Sequence, residues 1–371
     1  MNILWLAWKD YIAPGSGGAE VVLRELIKRQ VAEGHNVTLL TSGMPGAAAY
    51  ESRDGIEIIR VGNNRYAHPF QALLYYLRHL RGKYDVIIET VNTAPYFSLF
   101  FRGQAKAYAL YHQLARDVWF HETKPPVSHA GYYLMEPLAT WLLSRSKAPL
   151  ITVSESTKRD LSKFGWQPDN MYLISEGIEF EPVHSLADVQ KYDHPTMLSF
   201  GALRVMKRTL DQVIAFEIAK HYLPELRLII AGDSSGPYGK KVLDYIQKSP
   251  YKADITCLGR VSYDKKIELM QRCHVITVTS VKEGWGLIVT EAASQGTPAV
   301  VYDVDGLRDS VRHERTGLVT AADSEALAWG VVQTLSHPKL YESLRKKAWQ
   351  WSRELSFDAS YRDFKVAMET A

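Results

Sequence analysis

Glu283 and Glu291 stand at the two ends of one glycine-bearing string, Lys282-Glu283-Gly284-Trp285-Gly286-Leu287-Ile288-Val289-Thr290-Glu291-Ala292. The run Val275–Thr279 ahead of it has strand character, and Gly286–Gln295 has helical character. Gly284 and Gly286 let a ligand approach the main chain with no Cβ in the way. Open N–H groups at the start of the helix, around Leu287 and Ile288, suit a phosphate or sugar oxygen. Glu283, just before the helix, can accept hydrogen bonds from sugar hydroxyls. Glu291 follows roughly two turns later and can face the same side. A helix-capping Glu283 and a solvated Glu291 are the plain alternative, and they account for each residue singly better than for the whole string.

A second string, Phe200-Gly201-Ala202-Leu203-Arg204-Val205-Met206-Lys207-Arg208, follows the strand candidate Met197–Gly201. Arg204 can grip phosphate oxygens bidentately, and Lys207 adds a point charge, so the pair suits a diphosphate. Alone, both would read as solvated loop charges. Near the N-terminus, Pro14-Gly15-Ser16-Gly17-Gly18-Ala19-Glu20 resembles a dinucleotide fingerprint, but Glu20 occupies the place of its third glycine. Gly17 and Gly18 still suit close contact with phosphate or sugar, against the simpler reading of a turn. His112, in Tyr111-His112-Gln113-Leu114-Ala115-Arg116-Asp117, closes the strand candidate Ala105–Tyr111. The stretch 113–126 is rich in Arg, Trp, Phe, His and Glu for a plain connection, which favours a substrate-facing loop that includes Arg116.

These residues need elements to hold them. Strand candidates Asn2–Trp8, Asn36–Thr41, Ile56–Val61, Asp85–Glu89, Ala105–Tyr111 and Leu150–Val153 alternate with helical patterns such as Ala19–Ala32. After a polar stretch at Glu179–Pro195, read as a linker, a second series runs through Met197–Gly201, Leu226–Ala231, Ile255–Leu258, Val275–Thr279 and Ala299–Tyr302. The expectation is α/β: two doubly wound parallel sheets facing each other across a cleft, with domains at 1–182 and 183–355 and a closing helix near 356–371 packed back on the first.

Composition narrows the function classes. In 371 residues, 44 Lys and Arg nearly balance 41 Asp and Glu, which argues against nucleic acid as a partner. The two cysteines, Cys257 and Cys273, form no disulfide or zinc pattern, so a cytoplasmic home is expected. No apolar run reaches the length of a membrane span. The helix Gln71–Arg81 is weighed as a surface element for peripheral contact with an anionic membrane at its inner face, against a core-packing role.

Taken together, the strings resemble the retaining glycosyltransferases of family 4, which have the GT-B fold of two Rossmann-like lobes. The resemblance rests on Glu283 and Glu291 as an E-x7-E pair and on the loop carrying Gly201, Arg204 and Lys207, and it spans essentially the whole chain. It implies that Glu283 contacts the donor sugar, Glu291 the ribose, and Arg204 and Lys207 the phosphates. Leu258-Gly259-Arg260-Val261 resembles the segment that reads the base, and Gly17, Gly18 and His112 would serve donor and acceptor. His112-Gln113 replaces the usual His-Gly or His-Asp. Asp305-Gly306-Leu307-Arg308, where the family has Gly-Gly, and Thr316-Gly317-Leu318-Val319 resemble its late loops.

The implied activity transfers a hexose from a UDP- or GDP-linked sugar to a hydroxyl of a glycan, lipid-linked or polyol acceptor. With both carboxylates assigned elsewhere, no nucleophile remains for double displacement, so a same-face route is expected. No metal or other cofactor is expected; Asp303-Val304-Asp305 is the lone D-x-D match. The alternatives kept are a nucleotide-sugar epimerase or sugar phosphate synthase of the same fold, and a non-catalytic nucleotide-sugar-binding subunit. A dinucleotide oxidoreductase is the weakest, because of Glu20.

Overall fold

The computed structural model describes residues 1–371 except Pro14, Gly15, Asn63, Arg65, Tyr66, Thr93 and Ala371, so the first two residues of the N-terminal glycine string lie outside the described residues. The chain divides into two compact units, Met1–Gly177 with Phe357–Ala371, and Ile178–Ser356.

Among the described residues of the first unit, β1 (Asn2–Leu6), β2 (Asn36–Thr41), β3 (Tyr50–Arg53), β4 (Ile56–Arg60), β5 (Val86–Val91), β6 (Lys106–Tyr111), β7 (Leu150–Thr152) and β8 (Met171–Leu173) form one sheet in the order β3-β4-β2-β1-β5-β6-β7-β8. Neighbours are parallel except β3 and β4. Its helices are α1 (Gly18–Ala32), α2 (His68–Tyr75), α3 (Val118–Glu122), α4 (Val127–Ala130), α5 (Glu136–Ser144) and α6 (Glu155–Ser162). Strand alternation explains why both faces are covered. Leu4 and Leu6 join Leu40, Ile87 and Ala109 in a core with Ala72, Tyr76 and Leu143. Trp5, between them, stacks on Phe364 at 5.7 Å and donates its indole N–H to Gln30 at 2.8 Å. Phe364 belongs to the closing helix Phe357–Thr370, which Tyr108 also ties in by donating to the Met368 carbonyl at 2.7 Å.

The second unit holds β9 (Thr196–Phe200), β10 (Arg227–Ala231), β11 (Ile255–Gly259), β12 (Val275–Val278), β13 (Ala299–Tyr302) and β14 (Gly317–Thr320). All are parallel, in the order β11-β10-β9-β12-β13-β14. Its helices are α7 (Thr209–Lys220), α8 (Pro237–Lys248), α9 (Tyr263–Arg272), α10 (Leu287–Ser294), α11 (Leu307–Ser310), α12 (Ser324–Ser336) and α13 (Pro338–Ser352). Met197, Leu228 and Val275 pack under Val213 and Phe216 on one face; Leu198, Ile276 and Val301 pack under Leu269 and Val289 on the other. The chain winds outward from β9 to β11, then crosses to β12 on the far side of β9. Strand order reverses there, and in such sheets ligands bind beyond the carboxyl ends of the two strands at the reversal.

Three sequence expectations change. The stretch Glu179–Pro195 is strapped to the second unit and is no free linker, so the boundary falls at Gly177 and not at Pro182. Phe180 is buried beside Leu198 and Ile276, the Val183 N–H donates to the Ser294 carbonyl at 3.0 Å, and the Lys191 ammonium donates to the carbonyls of Cys273 and Gly296. Gln71–Arg81 keeps the core-packing role weighed for it: α2 and the π-turn Tyr76–Leu80 bury Ala72, Tyr76 and Leu80, leaving Arg78, His79 and Arg81 at a solvated edge. Gly317–Thr320 is an edge strand where a loop was expected, and β3 and β8 are additional strands.

Candidate active site

The strands at the reversal of the second sheet each release one of the two strings. After β9 the chain bends at Gly201 (φ +136°), and the neighbouring Gly232 passes so close that a Cβ on Gly232 would strike the Gly201 carbonyl. The Leu203 N–H then donates to the Asp233 carbonyl at 2.8 Å, and a 3₁₀ turn at Val205–Lys207 leads into α7. After β12, the second loop is fastened to the first. The Val281 N–H donates to the Met206 carbonyl at 2.8 Å, and the Thr279 hydroxyl donates to the Lys207 carbonyl at 2.8 Å. Beneath them, the Gln212 amide donates to the Thr279 oxygen at 2.8 Å and accepts from the Thr277 hydroxyl at 2.9 Å. Ser199, Gly201, Lys207, Thr209, Gln212, Ser280 and Ile288 line a small polar concavity over this floor.

Two separate strings thereby deliver Lys207 and Glu283 to one point. The Lys207 ammonium is paired with Glu283 Oε1, and the Ser280 hydroxyl donates to the same oxygen at 2.6 Å. Lys207 keeps two further N–H donors, and among the described residues no hydrogen bond reaches Glu283 Oε2. The Glu283 N–H donates to the Asp305 carbonyl at 3.0 Å; Gly306 (φ +81°) lies so close behind that a Cβ there would strike the Glu283 carbonyl. Gly286 (φ +93°) is the N-cap of α10, and no side chain caps that terminus. Gly284 and Trp285 make the approach to it; the Trp285 ring lies 6.0 Å from that of Trp351. Glu283 therefore does not cap the helix. Arg204 lies exposed on the same β9 loop, immediately before the 3₁₀ turn that carries Lys207.

Glu291 is buried in the second turn of α10, so the plain alternative of a solvated residue does not hold. The Lys266 ammonium donates to its Oε1 at 2.7 Å. Burial raises the Glu291 carboxyl above its ordinary value, and Lys266 opposes that. At the end of β11, Gly259 (φ +65°) accepts from the Gly232 N–H at 2.8 Å, and Val261 packs against the core. Arg260 is largely exposed and paired with Asp233 at 2.8 Å; that guanidinium holds Asp233 well below the usual carboxylate range.

In the first unit, Gly17 is the N-cap of α1 and Gly18 its first residue. The Gly17 N–H is taken by the Glu20 carboxylate at 2.6 Å, so the side chain that breaks the dinucleotide pattern closes a capping box at the start of α1. Asp10 tethers the loop before it by pairing with buried Arg60 while its carbonyl accepts from the Ser16 hydroxyl at 3.1 Å. His112 follows β6 directly and is partly exposed, with Nδ1 3.9 Å from Oε1 of fully buried Glu176. Arg116, expected on the acceptor side, is turned inward. Its guanidinium lies over Tyr132 at 4.1 Å and Phe164 at 5.1 Å and donates to the Tyr132 carbonyl at 3.0 Å, while its own N–H donates to Glu136 at 2.8 Å. These contacts make it an organiser of the loop, with its side chain 19% exposed.

Sequence reasoning missed Lys266, Ser280 and Glu176. A lysine on the exposed-looking start of α9 carries no local signal of a partner 25 positions away on another helix. Asp303 and Asp305, the D-x-D match, are both held by Arg308, at 2.7 and 2.6 Å, and Lys282 also pairs with Asp305 at 2.6 Å. Those carboxylates lock the Glu283 loop in place.

Comparison with known proteins gives a consistent result. A model described as Glycosyltransferase Family 4 matches residues 16–181, and one described as Glycosyl transferases group 1 matches residues 187–351. An uncharacterized glycosyltransferase of Methanocaldococcus jannaschii is 24% identical over 361 residues, covering 91% of this chain and 89% of its own. A solved structure of sucrose-phosphate synthase from Thermosynechococcus elongatus matches with a TM-score of 0.79, 20% identity, and coverage of 100% of this chain and 98% of its own. Anabaena HepE in complex with UDP-glucose matches with a TM-score of 0.75 and 15% identity, covering 100% of both chains.

Proposed function

The chain belongs to the family 4-type glycosyltransferases of GT-B fold, and from that premise we propose that it transfers a hexose from a UDP- or GDP-linked sugar to an acceptor hydroxyl, with retention and without a metal. The observation that carries this reading is the Lys207–Glu283 pair in front of the uncapped start of α10 at the strand-order reversal. Lys207, Arg204 and the first N–H groups of α10 would neutralise the departing diphosphate, a form of stabilisation that grows as the glycosidic bond breaks. Glu283 Oε2 would accept from a hexose hydroxyl, Glu291 from the ribose, and the Gly259–Val261 segment would meet the base. His112 would serve the acceptor.

Chemically, the anomeric C–O bond to the diphosphate breaks and the acceptor oxygen bonds the anomeric carbon from the same face. The acceptor proton passes to the departing phosphate oxygen, so no side chain need form a covalent intermediate. Acceptors of the class expected are glycans, lipid-linked saccharides or polyols. Cytoplasmic placement belongs to the same proposal. So does peripheral contact with an anionic membrane, now assigned away from Gln71–Arg81: Tyr133, Leu134, Leu138 and Trp141 are exposed along one helical stretch beside Arg145 and Lys147.

The test is incubation with UDP- and GDP-hexoses and acceptors of each class, with and without a strong chelator, and assignment of the product anomer by NMR. Retained configuration and chelator resistance are expected. An inverted product, or activity lost to the chelator, contradicts the proposed route. An epimerised free nucleotide sugar formed without acceptor would favour the epimerase alternative.

A further inference from the structure

Lys266 belongs to none of the sequence strings, yet it governs Glu291. Its ammonium donates to Glu291 Oε1 at 2.7 Å while sitting 5.4 Å from the ring of Phe180 and 5.9 Å from that of Phe200, the last residue of β9. Both partners are largely withdrawn from water, with side-chain exposures of 18% for Lys266 and 6% for Glu291. The charged groups that face Glu291 are Lys266 from α9 and Glu179 from the segment leading toward β9. Burial and the like-charged Glu179 both favour the neutral acid, and Lys266 alone opposes them. Among the described residues no hydrogen bond reaches Glu291 Oε2.

We propose that Lys266 is a positioning residue of the nucleotide site: it holds Glu291 by one oxygen as a carboxylate and leaves the other to accept from a ribose hydroxyl. This rests on the reading of Glu291 as the ribose ligand. The chemistry is one of acceptor capacity. An ionised carboxylate offers only lone pairs, whereas its protonated form turns one oxygen into a donor. Without the ammonium, Glu291 takes up a proton at higher pH, and nucleotide affinity falls as the pH drops through that value. With the ammonium in place, affinity stays level to lower pH. A pair that merely fills the core would change stability and leave the pH profile of binding alone.

Lys266→Met separates the two roles, because the unbranched thioether can lie between the two phenylalanine rings with no charge; Lys266→Gln serves should that variant not fold, and Lys266→Arg keeps the charge. Binding of UDP and of GDP is measured by calorimetry between pH 6 and pH 8, with Glu291→Gln as the reference. The expected result is a several-fold larger loss of affinity from pH 8 to pH 6 for Lys266→Met than for wild type or Lys266→Arg, since affinity falls once the pH drops below the value that controls Glu291. A level profile for a folded Lys266→Met or Lys266→Gln protein, with Glu291→Gln weakened throughout, overturns the role of Lys266 alone. Undiminished binding by Glu291→Gln, or no binding of either nucleotide by wild type, overturns the assignment of Glu291 beneath it.

Discussion

Replacing Lys207 by alanine separates catalysis from folding. The Lys207 side chain is 32% exposed and Glu283 16%, so their ion pair lies at the rim of the fold. Pairs with this much solvent contribute between about 0 and 1 kcal/mol. The Glu283 carboxylate left behind keeps the Ser280 hydroxyl at 2.6 Å and its own access to water, so it is not stranded. At about 1 kcal/mol, a domain of this size loses roughly 2–4 °C in melting temperature. Turnover should respond on a different scale. If Lys207 meets charge that develops on the departing diphosphate, its loss costs about 10²–10³ in rate, as for other preorganised donors. The assay pairs kcat for the preferred donor sugar with a melting curve on the same preparation. A kcat within about threefold of wild type would refute the role given to Lys207. So would a collapse of the melting temperature that tracks the loss of activity, since the residue would then be structural.

Three other perturbations follow from named contacts. Gly306→Ala forces a Cβ into the Glu283 carbonyl at φ +81°; stability should fall by about 1–3 kcal/mol together with activity, and an unchanged denaturation midpoint would contradict the packing described. Burial raises the Glu176 carboxyl, with His112 opposing, so the folded chain holds that proton more tightly than the unfolded one and loses stability as pH rises through the folded value. Glu176→Gln abolishes this loss, and its melting temperature relative to wild type should be higher at pH 8 than at pH 5; an equal difference at both would count against the assignment. Wild type should float with phosphatidylglycerol vesicles, whereas Leu134→Glu combined with Trp141→Glu should not; equal behaviour of the two would remove that surface from the account.

Much of the architecture was legible because it repeats a physical period. Strands such as Ala299–Tyr302 are buried on both faces and read as continuous apolar runs, and α1 shows its stripe at Val22, Leu26 and Ile27. The missed elements are those with weak periods. β8 has three residues, and β14 opens on Gly317. β3 had a usable signal, since Asp54 and Gly55 both take positive φ in the turn to β4, and an Asp-Gly step between strand-like runs marks a hairpin. Within the candidate site, the meeting of Lys207 with Glu283 was foreseeable, because both strings leave adjacent strands at a reversal of order. The partner of Glu291 was not, because the packing of α9 on α10 is a tertiary fact. Arg116 misled for a related reason: an arginine among aromatic residues reads as a binding loop, but stacking on Tyr132 and Phe164 consumes the same chemistry internally.

A crystal structure of the chain with a bound UDP- or GDP-hexose tests the central claim most directly. The diphosphate should lie within hydrogen-bond distance of Lys207 and the start of α10, with a hexose hydroxyl on Glu283 Oε2 and the ribose on Glu291. A nucleotide sugar seated away from the β9 and β12 loops, with the Lys207–Glu283 pair untouched, would contradict it.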